Sequence, residues 1–144
     1  FSTDHCAFTP EQKELGRSCF DTLPGIPGVQ TLLPLVYTYG VATGIITVGQ
    51  MAEMMCASPA RLFGLSHRKG RIAPGLDADI VILDPTVRRR LSGAQLLSRA
   101  GYTPYEGMEV SCEVREVYLR GSLVAAHGRF CGAGGAGEFV SASA

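Results

Sequence analysis

The spacing of apolar positions changes once along this chain, near residues 65–70. Before that point the stretches read as short helices broken by loops, and after it as short strands. "TPEQKELG" (9–16) sets Thr9 as a helix N-cap, Pro10 at the first helical position, Gln12 three residues past the cap, and Gly16 as the stop. "FDTLPGIPG" (20–28) holds two prolines and two glycines, which predicts a rigid loop with neither a helix interior nor a paired strand. "VQTLLPLVYTYG" (29–40) predicts a helix capped by Thr31, with Pro34 in its first turns and Gly40 at its end. A further helix begins at Thr47, with Val48, Met51, Met54 and Met55 at helical spacing; such a methionine stripe predicts core packing rather than ligation. "SPARLFGL" (58–65) repeats the cap-then-proline start with Ser58 and Pro59.

From His67 the pattern becomes that of turns and strands. Gly70 and Pro74-Gly75 mark turns, Ala78–Leu83 reads as a strand, and Asp84-Pro85 stops it. Asp77 and Asp79, flanking that strand start, are expected as turn and edge residues rather than ligands. Residues 86–111 form a longer excursion, and "VREVYLRGSLVAAHGRF" (114–130) reads as two strands joined at Gly121-Ser122. The Gly/Ser-rich tail, 131–144, is too poor in apolar residues to hold a core and is expected to drape over the surface or move freely. "FSTDHCAF" (1–8) reads as the last turn of a strand presenting Asp4 and His5 at a rim. Helices first and strands afterwards suggest two structural units with a seam near residues 65–70.

Composition narrows the function classes. The 144 residues are 46 % hydrophobic and 18 % charged, which is globular material of ordinary domain size. Thirteen basic side chains balance thirteen acidic ones, so no general field gathers nucleic acid or anionic lipid. The longest apolar stretches, such as Leu32–Val36 and Ile80–Leu83, fall far short of the roughly 20 residues of a membrane span. No secretory signal is present in these residues, and a cytoplasmic protein is expected. Five cysteines, odd in number and without a Cys-x-x-Cys pair, suit free, buried or half-buried thiols in a reducing compartment.

The chemistry that the residues can carry is limited. Only His5, His67 and His127 are present, with no His-x-His, no His-Glu-x-x-His and no acidic cluster, so this stretch is not expected to hold a catalytic zinc alone. Neither a Gly-x-Ser-x-Gly elbow nor a phosphate-binding Gly-x-x-x-x-Gly-Lys-Ser/Thr loop occurs. The glycines of "GAGGAGEF" follow Phe130-Cys131 with no helix behind them and do not make a dinucleotide loop. Asp4 remains. A carboxylate at a strand end can take a proton from a metal-activated water and pass it to a leaving amide nitrogen. A strand-ending aspartate also serves as an ordinary turn or cap residue, and the residues alone leave both roles open.

Five blocks, in order and with nearly the right spacings, narrow that choice: "STDHCAFTPEQKELG", "PGIPGVQTLLPLVYTYGV", "SPARLFGLSHRKGRIAPGLDADIVILDP", "YTPYEGMEV" and "LRGSLVAAHGRF". Together they resemble the C-terminal third of a dihydropyrimidinase or D-hydantoinase, members of the cyclic amidohydrolases, from residue 2 to about residue 130. The resemblance implies an α/β fold. Residues 1–66 would be the last strand end and closing helices of a metal-dependent (β/α)8 TIM barrel, and residues 67–130 strands of a small β-sandwich. Residues 132–139 of the tail, 131–144, carry a weaker echo of the family's Gly-rich end. Such a barrel takes about 250 residues, so the chain is expected to be a fragment of a longer enzyme and inactive when isolated.

By the same resemblance, Asp4 of the Thr3-Asp4-His5 motif is the proton shuttle and touches one of two zinc ions, and His5 supports the strand end. The other ligands, histidines and a carboxylated lysine, belong to earlier barrel strands. The family's Pro-Asn-Gly-x-Pro-Gly loop touches the ring amide of the substrate through backbone. Here it reads Pro24-Gly25-Ile26-Pro27-Gly28, one residue shorter and without the Asn, so Pro24 and Gly25 are the substrate-binding candidates. Relatives commonly carry acidic residues at Ser18-Cys19 and arginines at Ala136 and Glu138, which points to surface or subunit-contact changes. The implied partner is a small cyclic amide, a dihydropyrimidine or a 5-substituted hydantoin, and the implied assembly is a homotetramer. Two alternatives stand beside this one. One is a non-catalytic dihydropyrimidinase-like interaction protein, which the intact Thr3-Asp4-His5 opposes. The other is a dihydroorotase or allantoinase, suggested by "GIPGVQ", for which Arg17 is the sole nearby candidate to bind a substrate carboxylate.

Overall fold

The computed structural model describes residues 1–14 and 18–143; Gly16 and Arg17, read above as a helix stop and a carboxylate contact, lie outside the described residues. Helix α1 (Pro10–Glu14) starts as its sequence dictates. The Thr9 N–H donates to Gln12 Oε1 at 2.8 Å, and the Gln12 N–H donates to Thr9 Oγ1 at 3.3 Å. Both orphan amides of the first turn are thereby satisfied within four residues.

Helix α2 (Leu32–Val36) has Thr31 at its N-cap position, but the Thr31 hydroxyl donates to the Gly28 carbonyl at 3.1 Å instead of capping. The helix runs on past Gly40 as a widened π-turn, Tyr37–Val41. Gly40 is therefore a packing seat and not the expected stop. A Cβ there would stand 3.0 Å from Ile46 Cδ1, which folds back over it, and Gly44 at φ +77 makes the reversal.

Helix α3 (Val48–Ala52) carries a second capping box, between Thr47 and Gln50. It continues without a break through a π-turn, Glu53–Ala57, into α4 (Ser58–Leu62). Ser58 is thus inside a helix and not a cap. The widened turn lies just before Pro59, which has no N–H to give back and whose ring would otherwise press on the preceding turn. Of the methionine stripe only Met51 is buried; Val48 is exposed and Met54 and Met55 are half-buried, because the chain described here covers one flank of the helix only.

Six strands follow: β1 (Ile80–Asp84), β2 (Arg89–Arg90), β3 (Glu109–Val110), β4 (Glu113–Leu119), β5 (Ser122–Ala126) and β6 (Arg129–Phe130). They form a four-stranded antiparallel sheet ordered β1-β4-β5-β6 and a two-stranded pair β2-β3. The β4–β5 turn is Arg120-Gly121, one residue earlier than read from sequence, with φ of +46 and +81. A second turn of the same left-handed kind, His127-Gly128, adds β6, which sequence reading had joined to β5. Positive φ at both central residues matches the twist of paired strands, so these turns are favoured despite non-glycine first positions.

Among the most deeply buried side chains, beside Thr31 and Pro34 of the helical part, are three in and just after the segment read as an excursion. Leu91 and Val110 are 1 % exposed and Cys112 is fully buried. The segment closes on itself: the Leu91 N–H donates to Met108 O at 2.9 Å, and the Gly107 N–H donates to Leu91 O at 2.8 Å. It docks on the helical part through Tyr39, whose hydroxyl donates to Glu109 O, and through the Ser111 N–H, which donates to Thr38 Oγ1. Burial pushes the Cys112 thiol up from its ordinary pKa. The remaining cysteines, expected at least half-buried, are exposed, and all five are free thiols. No helix among the described residues is long and apolar enough to cross a membrane.

Candidate functional site

Residues 1–8 do not form a strand with a full ladder. Their one backbone pairing is a parallel bridge between His5 and Ile26, closed by the Cys6 N–H donating to Ile26 O at 3.2 Å. The extension is interrupted at Asp4, whose φ is +45. Aspartate tolerates this region better than most residues, and a non-glycine residue held there is a feature of functional sites and tight turns. The Asp4 N–H reaches Ser2 Oγ at 3.4 Å and the His5 N–H reaches Thr3 Oγ1 at 3.2 Å, so the two hydroxyl side chains brace the kink. The Asp4 carboxylate ends up exposed.

His5 has a structural task in this arrangement. Its Nδ1 accepts the Gly28 N–H at 3.0 Å and the Val29 N–H at 3.2 Å. An imidazole accepting at Nδ1 carries its proton on Nε2. The ring thereby fastens this segment to the far side of the 24–28 loop.

The loop is clamped from the other side by Gly25. It adopts φ +126, and a Cβ there would stand 2.6 Å from both Cys6 Cβ and Cys6 O. Only glycine allows this approach. The segment after Asp4 is therefore joined to the loop after Pro24, through His5 and Cys6 on one side and Gly25, Ile26, Gly28 and Val29 on the other, with Pro24 and Asp4 themselves exposed and Gly25 half-buried. Among the described residues, no group of three or more His, Cys, Asp or Glu side chains gathers where a metal ion could sit. Asp77 and Asp79 pair with cations, as turn residues do: Asp77 lies 2.7 Å from Lys69 Nζ and 2.9 Å from an Arg68 nitrogen, and Asp79 also meets Lys69.

Two elements escaped the sequence reading. A cleft of about 330 Å³ beside His5 is closed by Leu96, Leu97 and Ser98 of the 86–111 segment. Gln30 holds that segment in place, its Oε1 accepting the Leu97 N–H at 2.8 Å. Nothing in the local sequence around Leu96 signals this contact across 67 residues.

The chain is similar to known proteins along most of its length. The amidohydrolase family matches residues 1–124. A D-phenylhydantoinase from Escherichia coli is 38 % identical over 141 residues, covering 96 % of this chain and 31 % of the relative. Among solved structures, the dihydropyrimidinase from Brevibacillus agri superposes with a TM-score of 0.93 at 39 % identity, covering 97 % of this chain and 31 % of that one. The D-hydantoinase from a Bacillus species gives 0.89 at 41 % identity, with the same coverage. The chain spans about a third of the length of the relatives that it matches.

Proposed function

This chain belongs to the amidohydrolase family, and from that premise we propose that it is the C-terminal part of an enzyme hydrolysing a small cyclic amide. The substrate class is a dihydropyrimidine or a 5-substituted hydantoin, the rings named for the relatives it matches. What supports the reading most is the junction of Asp4 and His5 with the 24–28 loop. The exposed Asp4 carboxylate is next in sequence to His5, which ties the loop by the His5–Gly28 and His5–Val29 hydrogen bonds.

In this proposal residues 1–66 complete a (β/α)8 barrel, residues 67–130 contribute to a β-sandwich, and 131–144 form the tail. The donor set of this chain fits part of a metal centre only. Asp4 is a hard, exposed oxygen ligand suited to one zinc ion, whereas the described residues form no group of three or more potential metal ligands. The rest of a two-zinc site belongs to the portion of the relatives' length that this chain does not span, and the isolated chain is therefore inactive. When bound, the metal supplies Lewis-acid polarisation of the ring carbonyl.

The residues present do the remaining work. Asp4 accepts a proton at its carboxylate from the attacking water and returns it to the departing amide nitrogen as the ring C–N bond breaks. Backbone at Pro24-Gly25 orients the ring amide, and its position against Asp4 is held by His5. Free thiols throughout suit a reducing cytoplasm. Large exposed apolar side chains, Phe20, Leu62 and Ile72 among them, suit burial in a larger assembly, a homotetramer.

The test is the intact mass and zinc content of the polypeptide as its source makes it, followed by hydrolysis of dihydrouracil and hydantoin with and without Asp4→Asn. Bound zinc and a loss of about 10²–10⁴-fold in kcat are expected. A zinc-free polypeptide, or full activity in Asp4→Asn, would overturn the reading.

A further inference from the structure

The tail does not hang free. The Cys131 and Gly132 N–H groups both donate to Val124 O, at 2.9 and 3.1 Å, and so continue the sheet. Farther on, an Arg120 guanidinium nitrogen donates to the Ala136 carbonyl, and Glu138 lies between two guanidinium groups. Its Oε2 is 3.3 Å from Arg68 and its Oε1 is 3.6 Å from Arg120. At the far end the Ser143 N–H and hydroxyl both donate to the Gly64 carbonyl, at 2.8 and 3.1 Å. Gly64 lies just past α4 at φ +68, and a Cβ there would stand 2.9 Å from Ser143 O, so the helix terminus is shaped to receive the tail.

The charges around Glu138 close into a ring. Arg68 is held by Asp77, Asp77 also by Lys69, and Lys69 by Asp79. The Arg120 N–H donates to Asp79 Oδ1 at 2.8 Å, and the Arg120 side chain returns to Glu138. Three cations, Arg68, Lys69 and Arg120, are matched by three anions, Asp77, Asp79 and Glu138. Without Glu138 the ring keeps an excess positive charge, Arg68 loses its partner on the tail, and Arg120 keeps there only its bond to the Ala136 carbonyl. An arginine at 138 would oppose Arg68 and Arg120 directly.

We propose that residues 133–143 are a strap that fastens the β4–β5 hairpin to the end of α4, with Glu138 between Arg68 and Arg120 as its electrostatic buckle and Ser143 on Gly64 as its end. The strap couples the sheet to the helical part by a contact that salt and charge can release. Its occupant is this chain's own tail, and it is independent of any catalytic role.

The experiment is amide hydrogen exchange on the polypeptide as its source makes it, in low and high salt, for wild type, Glu138→Gln and Glu138→Arg. The Ser143 amide is expected to be protected in wild type and to lose protection at least about 5-fold in Glu138→Gln, more in Glu138→Arg, and in wild type when ionic strength exceeds the range of exposed ion pairs. Cys131 and Gly132, held by Val124 O, serve as internal controls and stay protected throughout, which separates strap opening from unfolding. A Ser143 amide that exchanges freely in wild type, or equally slowly in all three proteins, would overturn the proposal.

Discussion

Gly25 packs against Cys6 so closely that no side chain fits between them: the Cβ of any other residue would stand 2.6 Å from the Cys6 Cβ and carbonyl oxygen. This contact, with the His5–Ile26 bridge, fixes how closely the chain after Asp4 approaches the 24–28 loop. Because Gly25 also adopts φ +126, replacement meets backbone strain and steric overlap together.

Gly25→Ala is therefore expected to lower stability by about 2–4 kcal/mol, read as a shift of the urea midpoint. Displacing the loop should also impair activity at residual stability. An unchanged midpoint would mean that the loop can retreat from Cys6 without penalty.

The second prediction concerns His5. Removing its imidazole leaves the Gly28 and Val29 N–H groups without their acceptor. Gly28 is buried, so His5→Ala should cost about 1–3 kcal/mol, the penalty of an unsatisfied buried donor. His5→Asn places an amide oxygen near the position of Nδ1 and should recover much of that loss. Equal destabilisation by both variants would show that ring packing, not hydrogen bonding, ties the loop.

A third prediction follows from the ionic ring. Lys69 first, and Arg68 after it, hold the Asp77 carboxyl below its usual range. Burial works against the charge of Asp79, yet Lys69 and the Arg120 N–H still keep its pKa below the ordinary value. A lowered folded-state pKa gives stability that is fully present above the unfolded value, about 3.9 for aspartate, and that fades as pH falls through the folded value. The urea midpoint should thus hold steady from neutral pH to about 5 and drop below about 4. In Asp77→Asn the midpoint at neutral pH should be lower and the acid drop shallower. An acid limb of identical depth in the variant would remove Asp77 from the explanation.

Local features were legible from sequence because their partners lie within one turn of chain. The capping box read at Thr9–Gln12 needs only an i to i+3 relationship, and it forms; a second, at Thr47–Gln50, has the same local relationship but was not read from sequence. Turns were legible as to place but not register. Gly121 was read at the first position of its turn and lies at the second, because strand twist, not composition, selects Arg120-Gly121 as the left-handed pair.

Sequence alone also set out the family blocks and the residues Asp4, His5, Pro24 and Gly25 as a possible working group. Only tertiary structure decided how they meet. His5 finds Gly28 at a separation of 23 residues, Gln30 finds Leu97 at 67, and Arg68 finds Glu138 at 70. The buried cluster of Leu91, Val110 and Cys112 likewise lies in a segment with no periodic pattern of its own. Contacts of this kind leave no local periodicity, since each residue's neighbour is chosen by the packing of distant elements and not by the chain around it.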